Sequence, residues 1–149
     1  AEAVLRALPS LLLRYAAHDD VTRQLAQWSA KQPEFVQVLH PALPSSPGHV
    51  HWRALCKNGS GGAAGLFSVL FRADFSQARV DSFCDSLKLF RLGYSWGGPI
   101  SLVMPYELAT MRQVWPTHLQ KGTLVRFSIG LEAGGDLQAD LEQALHRLR

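Results

Sequence analysis

Residues 123–132 read TLVRFSIGLE, and this stretch decides how the chain folds. Leu124, Phe127 and Ile129 fit a largely buried β-strand, which we predict over residues 124–129. Arg126 stands in the middle of that strand, where an unpaired guanidinium would be costly. We therefore expect Arg126 to have a partner, which is either an acidic side chain of the same chain or the carboxylate or phosphate of a ligand.

A second stretch carries groups that suit the same ligand. Tyr94, Ser95 and Trp96 form an aromatic-hydroxyl-aromatic triplet, and two glycines follow them within residues 93–98. The triplet supplies further hydrogen-bond donors to place beside a guanidinium, so we interpret the two stretches as one site. A structural ion pair of Arg126 with an acid of this chain is the alternative, and spacing alone leaves it open.

Composition favours one globular domain and excludes several classes of function. The chain has 149 residues, 47% of them hydrophobic, and a formal net charge of +3. Its basic residues are scattered, which argues against nucleic acid or a membrane surface as a partner, and no apolar run approaches a membrane span. Cys56 and Cys84 form no CxxC motif, which argues against a disulfide framework and fits a cytoplasmic location.

The first third of the chain indicates helices followed by loops. Leucines at three- and four-residue steps predict a short helix, then a long one beginning near Ser10, because Pro9 interrupts the pattern. We interpret His49 and His51 as solvated loop histidines rather than metal ligands, since no carboxylate or cysteine cluster accompanies them. Residues 58–65 are glycine-rich but lack a P-loop ending, which predicts a flexible loop.

The remaining pattern predicts an α+β fold. The short connection between strands at 89–92 and 101–104 excludes a parallel crossover, which predicts a two-layer sandwich: a mostly antiparallel sheet covered by helices on one face, with a long N-terminal helix. Cys84 falls on an apolar helix face and is interpreted as a buried small hydrophobe. The other strands are predicted at 35–40, 66–72 and 124–129, with Pro105 ending the strand at 101–104, and helices at 76–87, at 107–114 and from Asp136 as N-cap.

Several motifs resemble the C-terminal part of one family. YSWGG at 94–98 with Ser101-Leu102 after it, LVRFSIGLE at 124–132 and an acidic last helix are similar to the Cys/Met-metabolism family of pyridoxal-phosphate enzymes, in particular its carbon-sulfur β-lyases. LHPALP at 39–44, PGH at 47–49 and GLFS at 65–68 resemble family segments in the same order. The resemblance implies the small C-terminal domain of fold-type-I enzymes, without their N-terminal cofactor domain. We divide this single domain into linking helices (1–32), a loop-rich segment (33–65) and an α+β substrate-carboxylate region (66–149).

The resemblance also implies roles for the site residues. Arg126 matches the fork that holds the substrate carboxylate, Ser95 and Trp96 match positions that assist it, and Tyr94 shapes the pocket wall. Pyridoxal phosphate would be the cofactor of the full-length enzyme, attached to a lysine through a Schiff base. No lysine of this chain stands in the family's context, so we expect no catalytic residue here and an inactive isolated chain; its lysines are Lys31, Lys57, Lys88 and Lys121.

The implied reaction is the cleavage of cystathionine to homocysteine, pyruvate and ammonia, a transsulfuration step of methionine biosynthesis. A γ-synthase or γ-lyase of the same family is the first alternative, although Trp96 after Ser95 favours the β-lyase type. The second alternative is a stand-alone, non-catalytic binding module. The expected partners are a small amino-acid substrate, the missing cofactor domain and further copies in a homo-oligomer, with no metal. We expect self-association through the apolar first helices and the rim around Tyr94, Trp96 and Trp115.

Overall fold

A computed structural model describes residues 1–56 and 61–148 of the chain. Its α-helices are α1 Glu2–Ala7, α2 Leu11–Ser29, α3 His49–Leu55, α4 Gln77–Ser86, α5 Leu108–Met111 and α6 Gly134–His146. Its strands are β1 Phe35–Leu39, β2 Leu66–Phe71, β3 Arg91–Leu92, β4 Leu102–Tyr106 and β5 Leu124–Ser128. None of these helices combines the length and apolarity needed to cross a membrane.

The strands form a single sheet with β5 at its centre. The order is β1-β2-β5-β4-β3, and every neighbouring pair is antiparallel except β3 and β4. The α+β class with a mostly antiparallel sheet is therefore confirmed. The prediction for β3 and β4 was wrong, because β3 has only two residues and an irregular connection over residues 93–101 suffices to bring β4 beside it in parallel.

One face of the sheet carries the apolar core. Phe67 of β2 and Phe127 of β5 stack with ring centroids 4.9 Å apart, and Phe90 meets Phe127 edge-on. Helices α2, α4 and α6 cover this face and contribute buried side chains to one cluster. Cys84 lies in that cluster as predicted, and burial raises the pKa of its thiol to about 12.

The opposite face of the sheet is more polar. Side chains alternate between the faces along a strand, so the neighbours of Val125 and Phe127 on β5 point away from the core. Arg126 is one of these, and it lies beside Ser68 of β2 and Met104 of β4. The strand predicted around Arg126 is confirmed, and its arginine belongs to the face that the core helices leave uncovered.

Helix boundaries follow local chemistry, with two corrections. A short 3-10 turn at Leu8–Ser10 contains Pro9 and separates α1 from α2, as predicted. The last helix begins at Gly134 after Ala133, so Asp136 is not its N-cap. Asp136 instead lies in the first turn, where its charge complements the helix dipole. The helix predicted at 107–114 is limited to α5.

Pro105 does not end β4, contrary to the prediction. Val103 accepts a hydrogen bond from Gly93 through its carbonyl oxygen, so the backbone groups of alternate residues, including Pro105, face the β3 side. β3 pairs only as far as Val103, which leaves Pro105 at an open edge. A missing N–H is tolerated there because it breaks no ladder hydrogen bond with β5.

The histidine pair lies on α3 rather than in a loop. His51 is exposed, and the Nδ1 atom of His49 lies 2.8 Å from the Pro41 carbonyl oxygen. Among the described residues, no group of three or more His, Cys, Asp or Glu side chains is arranged to hold a metal ion. The solvated loop that we predicted is thus a short helix.

The described part of the glycine-rich segment, residues 61–65, is hydrogen-bonded to α2 and α3. Residues 58–60 of the predicted flexible loop lie outside the described residues. In the remainder, Arg23 donates to the Gly61 carbonyl at 2.7 Å, and the Trp52 indole N–H donates to Gly62 at 3.2 Å. The Ala63 N–H donates to the Asp19 carboxylate at 2.6 Å. These bonds hold residues 61–63 against α2 and α3.

Candidate functional site

Arg126 takes backbone carbonyls as its partners. Its Nη2 atom donates to the carbonyl oxygens of Tyr94 at 2.7 Å, Gly93 at 3.3 Å and Ser95 at 3.4 Å. Among the described residues Arg126 forms no ion pair, so the predicted alternative of an acidic partner is not observed there. The partner is the loop between β3 and β4, which sequence spacing did not predict.

The other donor groups of the Arg126 guanidinium have few partners. Arginine has five donor hydrogens, and the three carbonyl contacts share the two hydrogens of Nη2. The Nε atom is buried and has no hydrogen-bond partner in the described part of the chain. The Tyr106 ring centroid lies 6.0 Å from the Arg126 Cζ atom, which is at the limit of a cation-π contact. The positive charge of Arg126 is therefore not neutralised by a described acid, which suits an anionic ligand.

The loop that meets Arg126 has a constrained start and an exposed tip. The Gly93 N–H donates to Val103, which continues the β3 pairing by one bond. Gly97 has a φ of +73°, a conformation that favours glycine. Tyr94 and Trp96 are 67% and 66% exposed, so their rings project from the loop instead of packing into the core.

Trp96 forms one wall of a cleft between this loop and α2. The cleft has a volume of about 350 Å³. His18 lies in its wall and is itself buried, and its Nε2 atom has no partner among the described residues. The pKa of His18 is lowered by burial and by the nearby Arg14 charge, while Glu132 opposes the shift. The lining residues are Leu11, Arg14, Tyr15, His18, Ala64, Gly65, Leu66, Trp96 and Gly97.

The far end of the loop is bound by a carboxylate that sequence reasoning did not assign to the site. Glu132 accepts hydrogen bonds from the Ser101 N–H and from the Ser101 hydroxyl, both at 2.8 Å. The same hydroxyl accepts the Gly130 N–H at 2.9 Å. An acidic residue placed just after a buried strand and a glycine was the signal available in the sequence.

The four predicted site residues come together only in part. Arg126 reaches the backbone of Tyr94 and Ser95, while Trp96 faces the cleft at α2. The Ser95 hydroxyl takes part in none of the hydrogen bonds among the described residues. Convergence of the Arg126 and Ser95 side chains on one ligand therefore stays a prediction.

The described residues offer no attachment point for pyridoxal phosphate. A lysine that forms a Schiff base is activated by desolvation or by a neighbouring cation. Lys31, Lys88 and Lys121 are exposed, and Lys57 lies outside the described residues. The described lysines therefore do not fit a Schiff base with the cofactor.

Comparison with known proteins extends the resemblance. The profile described as Cys/Met metabolism PLP-dependent enzyme matches residues 1–146. The chain is 37% identical over 146 residues to a cystathionine beta-lyase of Salmonella typhimurium, covering 96% of this chain and 36% of that protein. It is 33% identical over 147 residues to a cystathionine gamma-lyase of Dictyostelium discoideum, with the same two coverages.

A solved structure shows the same fold. Cystathionine gamma synthase from Xanthomonas oryzae superposes with a TM-score of 0.75 at 27% identity, over 97% of this chain and 37% of that chain. The chain thus spans about a third of the length of the proteins it matches. Because the family profile covers nearly all of the sequence, this chain belongs to the Cys/Met metabolism family of PLP-dependent enzymes.

Proposed function

We propose that the chain is the substrate-carboxylate domain of a pyridoxal-phosphate-dependent carbon-sulfur β-lyase that cleaves cystathionine to homocysteine, pyruvate and ammonia. The observation that carries the proposal is the Arg126 guanidinium, which has no acidic partner among the described residues and lies against the loop of Tyr94 and Ser95. The identity to a cystathionine beta-lyase over 96% of this chain supports the choice of reaction.

Arg126 would hold the α-carboxylate of the substrate, assisted by Ser95 and Trp96, with Tyr94 at the pocket wall. Fixing the carboxylate limits how the amino acid rotates, so that its Cα–H bond is presented to the cofactor in one orientation. Pyridoxal phosphate, when bound in the full-length enzyme, supplies the electron sink for removal of that proton. In the proposal a separate N-terminal domain holds the cofactor, and the enzyme acts as a homo-oligomer in the cytoplasm.

A γ-lyase or γ-synthase of the same family is the second candidate. It is favoured by the identity to a gamma-lyase and by the fold shared with a gamma synthase. Product analysis with the full-length enzyme and cystathionine separates the β-lyase from a γ-lyase, and a γ-synthase would instead form cystathionine from cysteine. The β-lyase reaction yields pyruvate and homocysteine, whereas γ-cleavage yields 2-oxobutyrate and cysteine, and either pattern excludes the other as the main reaction.

Replacing the carboxylate fork tests the role of Arg126. In the full-length enzyme we expect Arg126→Ala to raise KM and lower kcat together, reducing kcat/KM roughly 100-fold, because hydrogen bonds to a charged group are lost in both binding and orientation. Arg53→Ala removes an exposed arginine of α3 and is the matched control. Kinetics of the Arg126 variant equal to those of the control would contradict the assignment.

The lysines of the 149-residue chain provide a separate test. We expect the purified chain to cleave no cystathionine and to form no stable adduct with added pyridoxal phosphate, because its described lysines are exposed and not desolvated. The measurement is the absorbance and mass of the protein after borohydride reduction. A stoichiometric adduct at one lysine would show that this expectation is wrong.

A further inference from the structure

The loop over residues 93–100 is held at its two ends by different residues. At the start, Arg126 Nη2 donates to the carbonyl oxygens of Gly93, Tyr94 and Ser95. At the finish, the Pro99 carbonyl accepts the Leu131 N–H at 2.9 Å. Tyr94, Ser95 and Trp96 lie between these anchors, so their positions depend on both.

Beside the Pro99–Leu131 bond lies a closed hydrogen-bond arrangement that we call the Glu132 clamp. It consists of the Glu132 carboxylate, the Ser101 N–H and hydroxyl, and the Gly130 N–H. Ser101 is 0% exposed and Gly130 is buried, so water does not reach the serine hydroxyl or the Gly130 N–H to replace their bonds. Ser101 precedes β4 and Gly130 follows β5, which means that the clamp joins the two strands beyond the end of their ladder.

Close backbone packing around Gly130 restricts the geometry of the clamp. A side chain at Gly130 would overlap the Glu132 carboxylate, the Pro99 carbonyl oxygen and the Ile100 backbone. Glycine is therefore required if residues 99–101 are to approach residues 130–132 this closely. Among the described residues Glu132 has no ion-pair partner. Its carboxylate accepts hydrogen bonds from the neutral N–H and hydroxyl groups of Ser101.

We propose that Glu132 and Ser101 are positioning residues for the carboxylate site, because they fix the far end of the loop that carries Tyr94, Ser95 and Trp96 and whose first carbonyls bond to Arg126. The inference rests on the proposed function for its substrate but on the structure alone for the clamp. Without the clamp, the Arg126 carbonyl bonds hold the start of the loop and only the Pro99–Leu131 bond holds its far end, so the tip is less firmly placed beside a bound carboxylate.

The chemistry of the clamp predicts a graded series of variants. Glu132→Gln keeps one acceptor for the Ser101 N–H but turns an NH₂ group toward the hydroxyl, whose own hydrogen then loses its acceptor. Ser101→Ala removes the hydroxyl and leaves the buried Gly130 N–H unpaired. Glu132→Ala removes both acceptors. Loss of loop order should therefore increase from Glu132→Gln to Glu132→Ala.

Hydrogen exchange in the 149-residue chain tests the clamp without any activity. We expect the loop-anchoring amides of Leu131, which donates to Pro99, and of Gly130, which donates to Ser101, to exchange about 10-fold faster in Ser101→Ala and Glu132→Ala, in proportion to roughly one lost net hydrogen bond. Core amides of β2 and β5 should be unchanged, as should the whole chain in Glu142→Gln, an exposed acid of α6. Unchanged exchange of these two amides, or equal acceleration of them and the core amides, would overturn the inference.

Kinetics of the full-length enzyme test whether the clamp acts through Arg126. We expect Glu132→Gln to raise KM for cystathionine about 10-fold, and the Glu132→Gln/Arg126→Lys pair to lose less than the product of the two single losses. Independent, multiplicative losses would overturn the positioning role. If the wild-type enzyme cleaves no thioether amino acid, the proposed function and the clamp's substrate role both fail, while the exchange experiment still decides whether the clamp orders the loop.

Discussion

Phe127 and Arg126 are adjacent on β5 but face opposite sides of the sheet, and their surroundings differ accordingly. Phe127 is fully buried between Phe67 and Phe90 in the core cluster. Arg126 is half-buried, bonds to three backbone carbonyls and keeps a buried Nε without a partner among the described residues. One face of the strand therefore contributes chiefly to stability, and the other carries a charge at some expense of stability.

The side chains on the two faces of β5 contribute to stability in different ways. The core face gains free energy from apolar area removed from water, so its side chains are exchangeable for others of similar volume. The guanidinium gains little from its neighbours, and an unsatisfied buried donor is unfavourable. The proposed carboxylate would complete the bonding of this arginine by accepting from its unused donors.

The largest effect is expected on the core face. Phe127→Ala should lower the free energy of unfolding by about 3–5 kcal/mol, because it removes a large buried ring and leaves a cavity. Arg126→Met, one residue away, should change it by less than about 1 kcal/mol. Urea unfolding of the 149-residue chain measures both, and Phe127→Leu extends the series if the alanine variant does not fold. Equal destabilisation at the two positions would remove the contrast between the faces.

A pH titration tests the buried polar groups outside the apolar core. Burial lowers the pKa of His40 to about 4, the Arg23 charge adds to the shift and Asp19 opposes it. As the pH falls, His40 binds a proton near pH 6.5 in the unfolded chain but only near pH 4 in the folded chain. The stability that neutral His40 contributes to the folded chain is therefore fully present above pH 6.5 and is lost as the pH falls toward 4. The loss should reach about 3 kcal/mol.

Comparison with substituted chains isolates this contribution from the carboxylates that titrate in the same range. His40→Gln should flatten the stability curve between pH 6.5 and 4, whereas His51→Gln, on the exposed side of α3, should leave it unchanged. Urea unfolding at intervals of half a pH unit provides the curve. Parallel curves for the His40 variant and the wild type would show that His40 does not carry the effect.

The smallest effect expected is association through exposed apolar side chains of the first helices and of the loop between β3 and β4. Leu12 and Leu13 of α2 are 80% and 74% exposed, and Tyr94 and Trp96 are also exposed. We predict that the chain forms a symmetric dimer at micromolar concentration through this apolar surface. Leu12→Glu should weaken the dimer about 10-fold, with Val50→Glu on α3 as control. Sedimentation showing only monomer at micromolar and at ten-fold lower concentration would contradict the prediction.

Local patterns explain what the sequence predicted. The leucine repeats of α2 and α6 and the apolar positions of β5 are features of neighbouring residues, and periodicity captures them. Arg126 was correctly expected to need a partner, and the family motifs directed attention to residues 94–96. The two-residue β3 was too short to carry a pattern, so its parallel pairing with β4 was missed.

Other features of the site depend on contacts between distant residues. Backbone carbonyls exist at every position, so the sequence does not indicate that those of residues 93–95 receive Arg126. Ser101 and Glu132 were quoted as parts of motifs, but their mutual bonds depend on the ends of β4 and β5 lying side by side. The buried histidines at 18 and 40 were missed because their burial results from tertiary packing rather than from a local pattern.

Pro105 has a consequence for how the sheet meets other chains. Because β3 pairs with β4 only as far as Val103, the outer edge of β4 beyond that point is open. An incoming strand would find a carbonyl acceptor at Pro105 but no N–H donor, so it would lose a bond at the centre of any new ladder. Pro105 thereby disfavours the addition of a further strand at this edge.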